Sequence, residues 1–259
     1  MNTSALFDSF RLQERRGLQI GMTSGYENGV WRYDLIGQNF RLVLDHSLPL
    51  ELIQEAIHSQ KELAKDANLT LEWKWFSSDA HAEQVRVWLT EAGFVADEAE
   101  AFMAMDIAAI DWPAPNGKAA VKVKRCTNEH QLETVFAIQE QVWQTSMADR
   151  LKGELEIFRN NPNRMSYYLV EINGEDVCSG WASYTPDSDF VGLWGGSCLP
   201  EYRSRGCYRA LVWARVQEAI ERGRKYLTID ALPTSRPIVE RLGFELLSLT
   251  VPYEFDGKG

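Results

Sequence analysis

Residues 190–216, FVGLWGGSCLPEYRSRGCYRALVWARV, run from a strand into a helix through a turn that gathers Arg203, Arg205 and Gly206. This junction constrains the fold more than any other stretch. Paired glycines inside a strand, here Gly195 and Gly196, mark a bulge or a close approach by another chain or a ligand. A helix amino terminus leaves backbone N–H groups unpaired and carries partial positive charge, so it is a ready anion site. Gly206 lets the backbone turn tightly, and Arg203, Arg205 and Arg209 add charge-assisted donors. A pyrophosphate fits such a cradle. The bland alternatives are a solvated surface turn and a plain bulge.

The elements around the junction support an α/β reading. Val121 and Val123 alternate with lysines in a strand over 119–126, and Thr127 opens a helix with Leu132, Val135, Phe136, Ile138 and Val142 near one face. A second helix is expected over 148–159, and Asn173-Gly174 joins two strands within 165–185 as a hairpin. After the junction strand comes a helix over 206–222, with Val212, Val216, Ala219 and Ile220 inward and Gly223 as its stop. A strand at 226–232, a helix at 235–243 and two closing strands complete a mixed α/β domain with the order β-α-α-β-β-β-α-β-α-β-β. Upstream, DWPAPNGK at 111–118 reads as an interdomain linker. The segment 69–107 then repeats the order strand, helix, Gly-Phe, strand, with Gly93-Phe94 answering Gly243-Phe244, which suggests an internal duplication.

The stretch LWGGSCLPEYRSRGCYRALVWARV resembles the acetyl-coenzyme A signature of the GNAT superfamily of N-acetyltransferases. That signature is a bulged strand, Pro-Glu-Tyr-Arg, then Q/R-x-x-G-x-G/A at a helix start. SRPIVERLGFE is similar to the family's helix that ends in Gly-Phe, so the resemblance covers about 119–259. It implies a mixed α/β sheet with a GNAT-like acyltransferase fold in the carboxy-terminal half, preceded by a truncated GNAT-like amino-terminal domain. The expected domains are a degenerate half over 1–112 and an acetyl-coenzyme A-binding half over 118–259. LVLDHSLPLELIQEAIHSQ stands where a first cradle would be, and it lacks R-x-x-G, so the first half is expected to bind no coenzyme.

Carried over to these residues, the resemblance implies a pyrophosphate on the backbone amides of Ser204, Arg205, Gly206, Cys207, Tyr208 and Arg209, with Arg203 opening the motif. Backbone groups of Ser197, Cys198 and Leu199 would meet the pantetheine arm, one amide polarising the acetyl carbonyl, and Ser235 stands where the family often has asparagine. Two positions depart from the pattern. Tyr208 replaces the usual glycine or alanine, and Val239 occupies the place of the tyrosine acid. Transfer to an amine needs two proton movements, for which Ser235, Tyr253, Glu140, Glu154, Asp187 and Asp189 are candidates. Cys198 is a possible nucleophile for an acyl-enzyme, with direct transfer favoured over it. Trp143, Trp181 and Trp194 are candidate acceptor-pocket walls, with core packing the simpler role.

Charge and composition exclude other classes. The chain has 259 residues, with 27 Lys and Arg against 37 Asp and Glu, for a net charge of -10. That balance argues against a nucleic-acid partner; it suits a cationic acceptor, with solubility alone the simpler reason for it. Its four cysteines lack CxxC spacing and its four histidines sit singly, so neither a disulfide framework nor a metal is expected. No apolar run reads as a signal peptide or a membrane span, and a cytoplasmic location is expected. The reading is an N-acetyltransferase taking acetyl-coenzyme A as co-substrate and a small-molecule or peptide primary amine as acceptor. One alternative is a catalytically impaired acyl-coenzyme A-binding regulatory or scaffold protein of the same fold; another uses a longer acyl donor.

Overall fold

The computed structural model describes residues 2–17, 22–35, 39–113 and 121–258. Residues 114–118 of the linker and the start of the strand expected from 119 lie outside them. In chain order come α1 (Thr3–Phe10), a π-helical turn over Arg11–Arg15, β1 (Met22–Glu27), β2 (Val30–Leu35), β3 (Phe40–His46), α2 (Leu50–Asp66), β4 (Thr70–Phe76), α3 (Ala82–Glu91), β5 (Val95–Ala96) and β6 (Glu100–Asp106). There follow β7 (Val121–Arg125), α4 (Glu129–Trp143), α5 (Ala148–Asn160), β8 (Met165–Ile172), β9 (Glu175–Ser183) and β10 (Phe190–Cys198). The last elements are α6 (Cys207–Glu221), β11 (Tyr226–Ala231), α7 (Arg236–Glu240) and β12 (Glu245–Asp256). The chain forms two compact units. One comprises 1–103, 230–239 and 245–259, and the other 104–229 and 240–244.

In the first unit β1, β2 and β3 pair antiparallel, β3 pairs parallel with β4, and β12 lies antiparallel to β4. A parallel pair needs a crossover, and α2 supplies it. The alternation in β4 buries Leu71, Trp73 and Trp75 against Ile53 and Ile57 of α2 and Leu89 of α3. Gly93 ends α3 at φ 87, a left-handed position that suits glycine. Another buried feature is ionic. Asp45, its side chain wholly buried, binds Arg11, Arg15 and Arg16, while Arg15 also grips both oxygens of Asp79 at 2.6 Å. Burial opposes charge on Asp45, but the three guanidinium groups hold its carboxyl below the usual range.

In the second unit β7, β8, β9 and β10 form an antiparallel run, and β10 pairs parallel with β11 across α6. Asn173 (φ 54) and Gly174 (φ 89) make the expected hairpin turn. β8 and β9 are buried along most of their length rather than on alternate residues, which requires cover on both faces. Three local expectations change. Asn128, whose side chain accepts from the Gln131 amide, caps α4 in place of Thr127. Ile220 is 52% exposed, and α6 buries Leu211, Arg215 and Glu218 instead, two of them polar positions that an apolar-stripe reading passes over. The two closing strands are one, because nothing in 245–256 turns the chain. Among the described residues, no helix is long and apolar enough to cross a membrane.

Candidate functional site

The β10–β11 ladder runs from Phe190–Tyr226 to Leu193–Ile229 and stops there. The next residues of β10 form a bulge: Trp194 faces Trp181 of β9, Ser197 faces Ser179, and two glycines take the place of one partner. Gly195 sits at φ 59, and a Cβ there would lie 1.9 Å from the Trp181 ring. A Cβ on Gly196 would lie 2.6 Å from the Tyr208 ring. Each glycine thus admits an aromatic side chain, so both are needed by contact, and Gly195 by its backbone as well. The departure at position 208 has a structural counterpart here, since the tyrosine ring fills the space that Gly196 leaves.

Beyond β10 the chain makes a short 3-10 turn over Pro200–Tyr202, then enters α6 through Ser204 (φ 62) and Gly206 (φ 87). Left-handed residues in such a turn aim successive amides into a concavity, the arrangement that binds anions. No side chain caps the first turn of α6, and nothing lies within 4 Å of the Cβ position of Gly206. Arg203, Ser204, Arg205 and Gly206 are exposed. Arg203 donates through Nε to the Cys198 carbonyl (3.2 Å), and Arg205 lies 5.0 Å over the Tyr202 ring. Arg209 turns elsewhere, donating to the Pro113 carbonyl (2.9 Å) and packing 5.3 Å over Trp112, so its side chain is engaged away from the turn.

Cys198, Cys178 and Cys207 meet beside the bulge. The Leu199 amide donates to the Val177 carbonyl (2.9 Å), which makes Cys178 and Cys198 a non-hydrogen-bonded cross-strand pair with close side chains. Cys198 is half-buried, and donation from Cys178, with further help from Cys207 and Arg203, lowers its thiol to about 7. Cys178 and Cys207 are buried and their thiols are pushed up, Cys207 to about 11. The same Leu199 amide is therefore spent within the sheet, whereas Ser197 is 3% exposed and its hydroxyl donates to Gln139 Oε1 (2.9 Å).

The remaining candidates separate by unit and by occupation. Ser235, Val239 and Tyr253 belong to the first unit. The Ser235 hydroxyl donates to Leu232 O (3.1 Å), Val239 is fully buried, and Tyr253 packs in the core with Trp73 and Trp75. Glu154 accepts from the Tyr167 hydroxyl and pairs with Arg150, and Glu140 accepts from the Met147 amide (2.7 Å). Asp189 pairs with Lys225, and Asp187 sits in a left-handed turn. Trp181 is buried; Trp194 and Trp143 are 42% and 52% exposed. Two polar residues that sequence reasoning missed, Gln139 and Arg215, are buried against the bulge. Both sit within apolar helix arcs, and no signal short of the bulge's position flags them. Among the described residues, no group of three or more metal-ligating side chains is placed to hold an ion.

Residues 128–244 match the model of the acetyltransferase (GNAT) family. No curated protein matches the chain. Among solved structures it is similar to a GCN5-related N-acetyltransferase from Kribbella flavida, with a TM-score of 0.69 at 15% identity over 98% of this chain and 95% of that one. A GCN5-related N-acetyltransferase from Sphaerobacter thermophilus matches with a TM-score of 0.65 at 14% identity, over 89% and 78% of the two chains. A tandem GNAT protein from the clavulanic acid biosynthesis pathway matches with a TM-score of 0.62 at 14% identity, over 99% and 88%.

Proposed function

From the premise that this chain carries a GNAT-superfamily acetyltransferase domain, we propose that it moves an acetyl group from acetyl-coenzyme A directly to a primary amine of a small molecule or peptide. Family membership supports acyl transfer in general; the donor and acceptor are our reading. The observation that carries it is the uncapped first turn of α6, entered through left-handed Ser204 and Gly206, directly after the bulge in β10. Amides of residues 204–209 would hold the pyrophosphate, and a bulge amide would donate to the thioester carbonyl as it gains charge. The neutral amine attacks the carbonyl carbon, the C–N bond forms, the C–S bond breaks, coenzyme A leaves as the thiolate, and the proton shed by the acylated nitrogen passes through solvent to that thiolate. The excess of 37 acidic over 27 basic residues favours a cationic acceptor. Four free thiols support a reducing, cytoplasmic setting.

Release of the coenzyme A thiol across a panel of primary amines tests this reading. Turnover on at least one amine is expected. Saturable binding without turnover on any acceptor would favour a regulatory or scaffold protein, a reading that Val239, apolar and buried, keeps in play. Comparing acetyl with succinyl and longer thioesters addresses donor length. Cys198, half-buried beside the bulge with its thiol lowered to about 7, is our candidate for a covalent route. Direct transfer predicts that Cys198→Ala turns over within about threefold of the unaltered chain, whereas an acyl-enzyme predicts loss of turnover by about a thousandfold.

A further inference from the structure

Arg215 is fully buried and, among the described residues, meets no carboxylate; its polar side-chain neighbour is the hydroxyl of Tyr208. Its Nε donates to Leu211 O (3.3 Å) within α6, and its Nη1 is shared between the carbonyls of Trp181 (3.3 Å) and Trp194 (3.5 Å). Nη2 has no hydrogen-bond partner among the described residues. An isolated buried charge is costly, and burial pulls the Arg215 pKa down accordingly. A leucine or methionine would pack α6 against the sheet more cheaply. The charge therefore calls for a reason other than packing.

Gln139 completes the picture from the other face. Its Nε2 donates to Gly195 O (2.6 Å) and to Ser179 Oγ (2.8 Å), while its Oε1 accepts from Ser197 and from Trp143. Ser179 and Gly180 are consecutive in β9 and so face opposite sides of the sheet. Ser179 meets Gln139 of α4, and a Cβ on Gly180 would meet Leu211 and Arg215 of α6. Two buried side chains thus reach the bulge from opposite faces, and each takes one of two consecutive carbonyls, Trp194 and Gly195.

We propose that Arg215 and Gln139 are positioning residues that fix the Trp194–Gly195 and Gly195–Gly196 peptides so that the Gly195 N–H serves the thioester carbonyl. Peptide groups here are planar and trans, so each N–H points opposite to its own C=O. Both clamps also bind β9, Arg215 through Trp181 O and Gln139 through Ser179. With consecutive carbonyls drawn to opposite faces, the Gly195 and Gly196 N–H groups point to opposite faces too, just past the point where the ladder of β10 with β11 has ended. A cation on the Trp194 carbonyl further polarises that peptide and strengthens the Gly195 N–H as a donor. The inference rests on the acyl-transfer reading given above.

The test uses the whole chain, [1-13C]acetyl-coenzyme A as probe, and four proteins: the unaltered chain, Arg215→Met, Gln139→Leu and Arg215→Lys. Equilibrium binding and the infrared frequency of the bound 13C carbonyl are read separately. In the unaltered chain the carbonyl is expected to move to lower frequency on binding. Arg215→Met and Gln139→Leu should lose that shift while binding within about threefold, and turnover should fall about a hundredfold, the scale of one lost oxyanion donor. Arg215→Lys, which keeps the cation, should retain part of the shift. A role confined to packing would leave the frequency unmoved wherever the probe still binds. Should Arg215→Met fail to fold, Gln139→Leu and Arg215→Lys make the same comparison. A bound carbonyl that is unshifted in the unaltered chain, or shifted equally in the variants, overturns the clamp and leaves the donor assignment standing. An unaltered chain that binds no probe overturns both.

Discussion

Gly195→Ala is expected to destabilise the chain by about 2–5 kcal/mol and to remove turnover, because it combines backbone strain with overpacking. The residue sits at φ +59, and its new Cβ would lie 1.9 Å from the Trp181 ring. That ring has little room to retreat. It is 6% exposed, lies 5.5 Å from the Phe136 ring, and has Arg150 stacked at 5.3 Å on it. Gly174→Ala is the control. Its φ of +89 is also left-handed, yet nothing lies within 4 Å of its Cβ position, so only strain of about 1–2 kcal/mol applies. Urea unfolding of both variants, with thiol release from acetyl-coenzyme A, separates strain from collision. Equal losses of stability would mean that the Trp181 contact contributes nothing.

The second large effect falls in the first unit. Asp45→Asn should cost about 3–5 kcal/mol, the scale for removing one partner of a buried ion pair. Arg11, Arg15 and Arg16 all meet this carboxylate, and Arg15 is itself 2% exposed, kept there by Asp79, the Leu44 carbonyl (2.7 Å) and the Phe76 ring at 4.1 Å. The pH dependence has a definite sign. The folded carboxyl titrates below its unfolded value, so its contribution is present above the unfolded pKa and disappears as pH falls through the folded one. Unfolding free energies of the unaltered chain and Asp45→Asn should therefore differ most near neutrality and converge toward acid. A gap that persists unchanged into acid would contradict the carboxylate's role.

The sequence reading succeeded where backbone demands dictate residue type. Paired glycines in a strand, Asn-Gly between strands and Gly-Phe after a helix each need a conformation few residues adopt, and all three appear where expected. The tight turn into α6 through Gly206 was legible for the same reason. Arg215, Gln139 and Glu218 were not, because burial of a polar side chain is decided by partners distant in sequence. Ser166, for example, donates to Glu218 (2.7 Å) across 52 positions, and Tyr168 donates to it too. The arginine knot has the same cause: Arg11, Arg15 and Arg16 meet Asp45 only once β3 brings it to them. Tyr208 reads in sequence only as a departure from glycine or alanine, since its relation to Gly196 exists only once strand and helix are packed.

Calorimetric titration of acetyl-coenzyme A into the whole chain tests the central claim most directly. One donor should bind per chain, since α2 is preceded by Pro49 without a glycine-arginine turn, and among the described helices α6 is the one entered through such a turn. Gly206→Trp, placed where the Cβ position is open and the side chain enters the mouth, should abolish the binding while the protein stays folded. Saturation at one equivalent that is lost in Gly206→Trp is the predicted result. No saturable heat in the unaltered chain, or binding undiminished by Gly206→Trp, would contradict it.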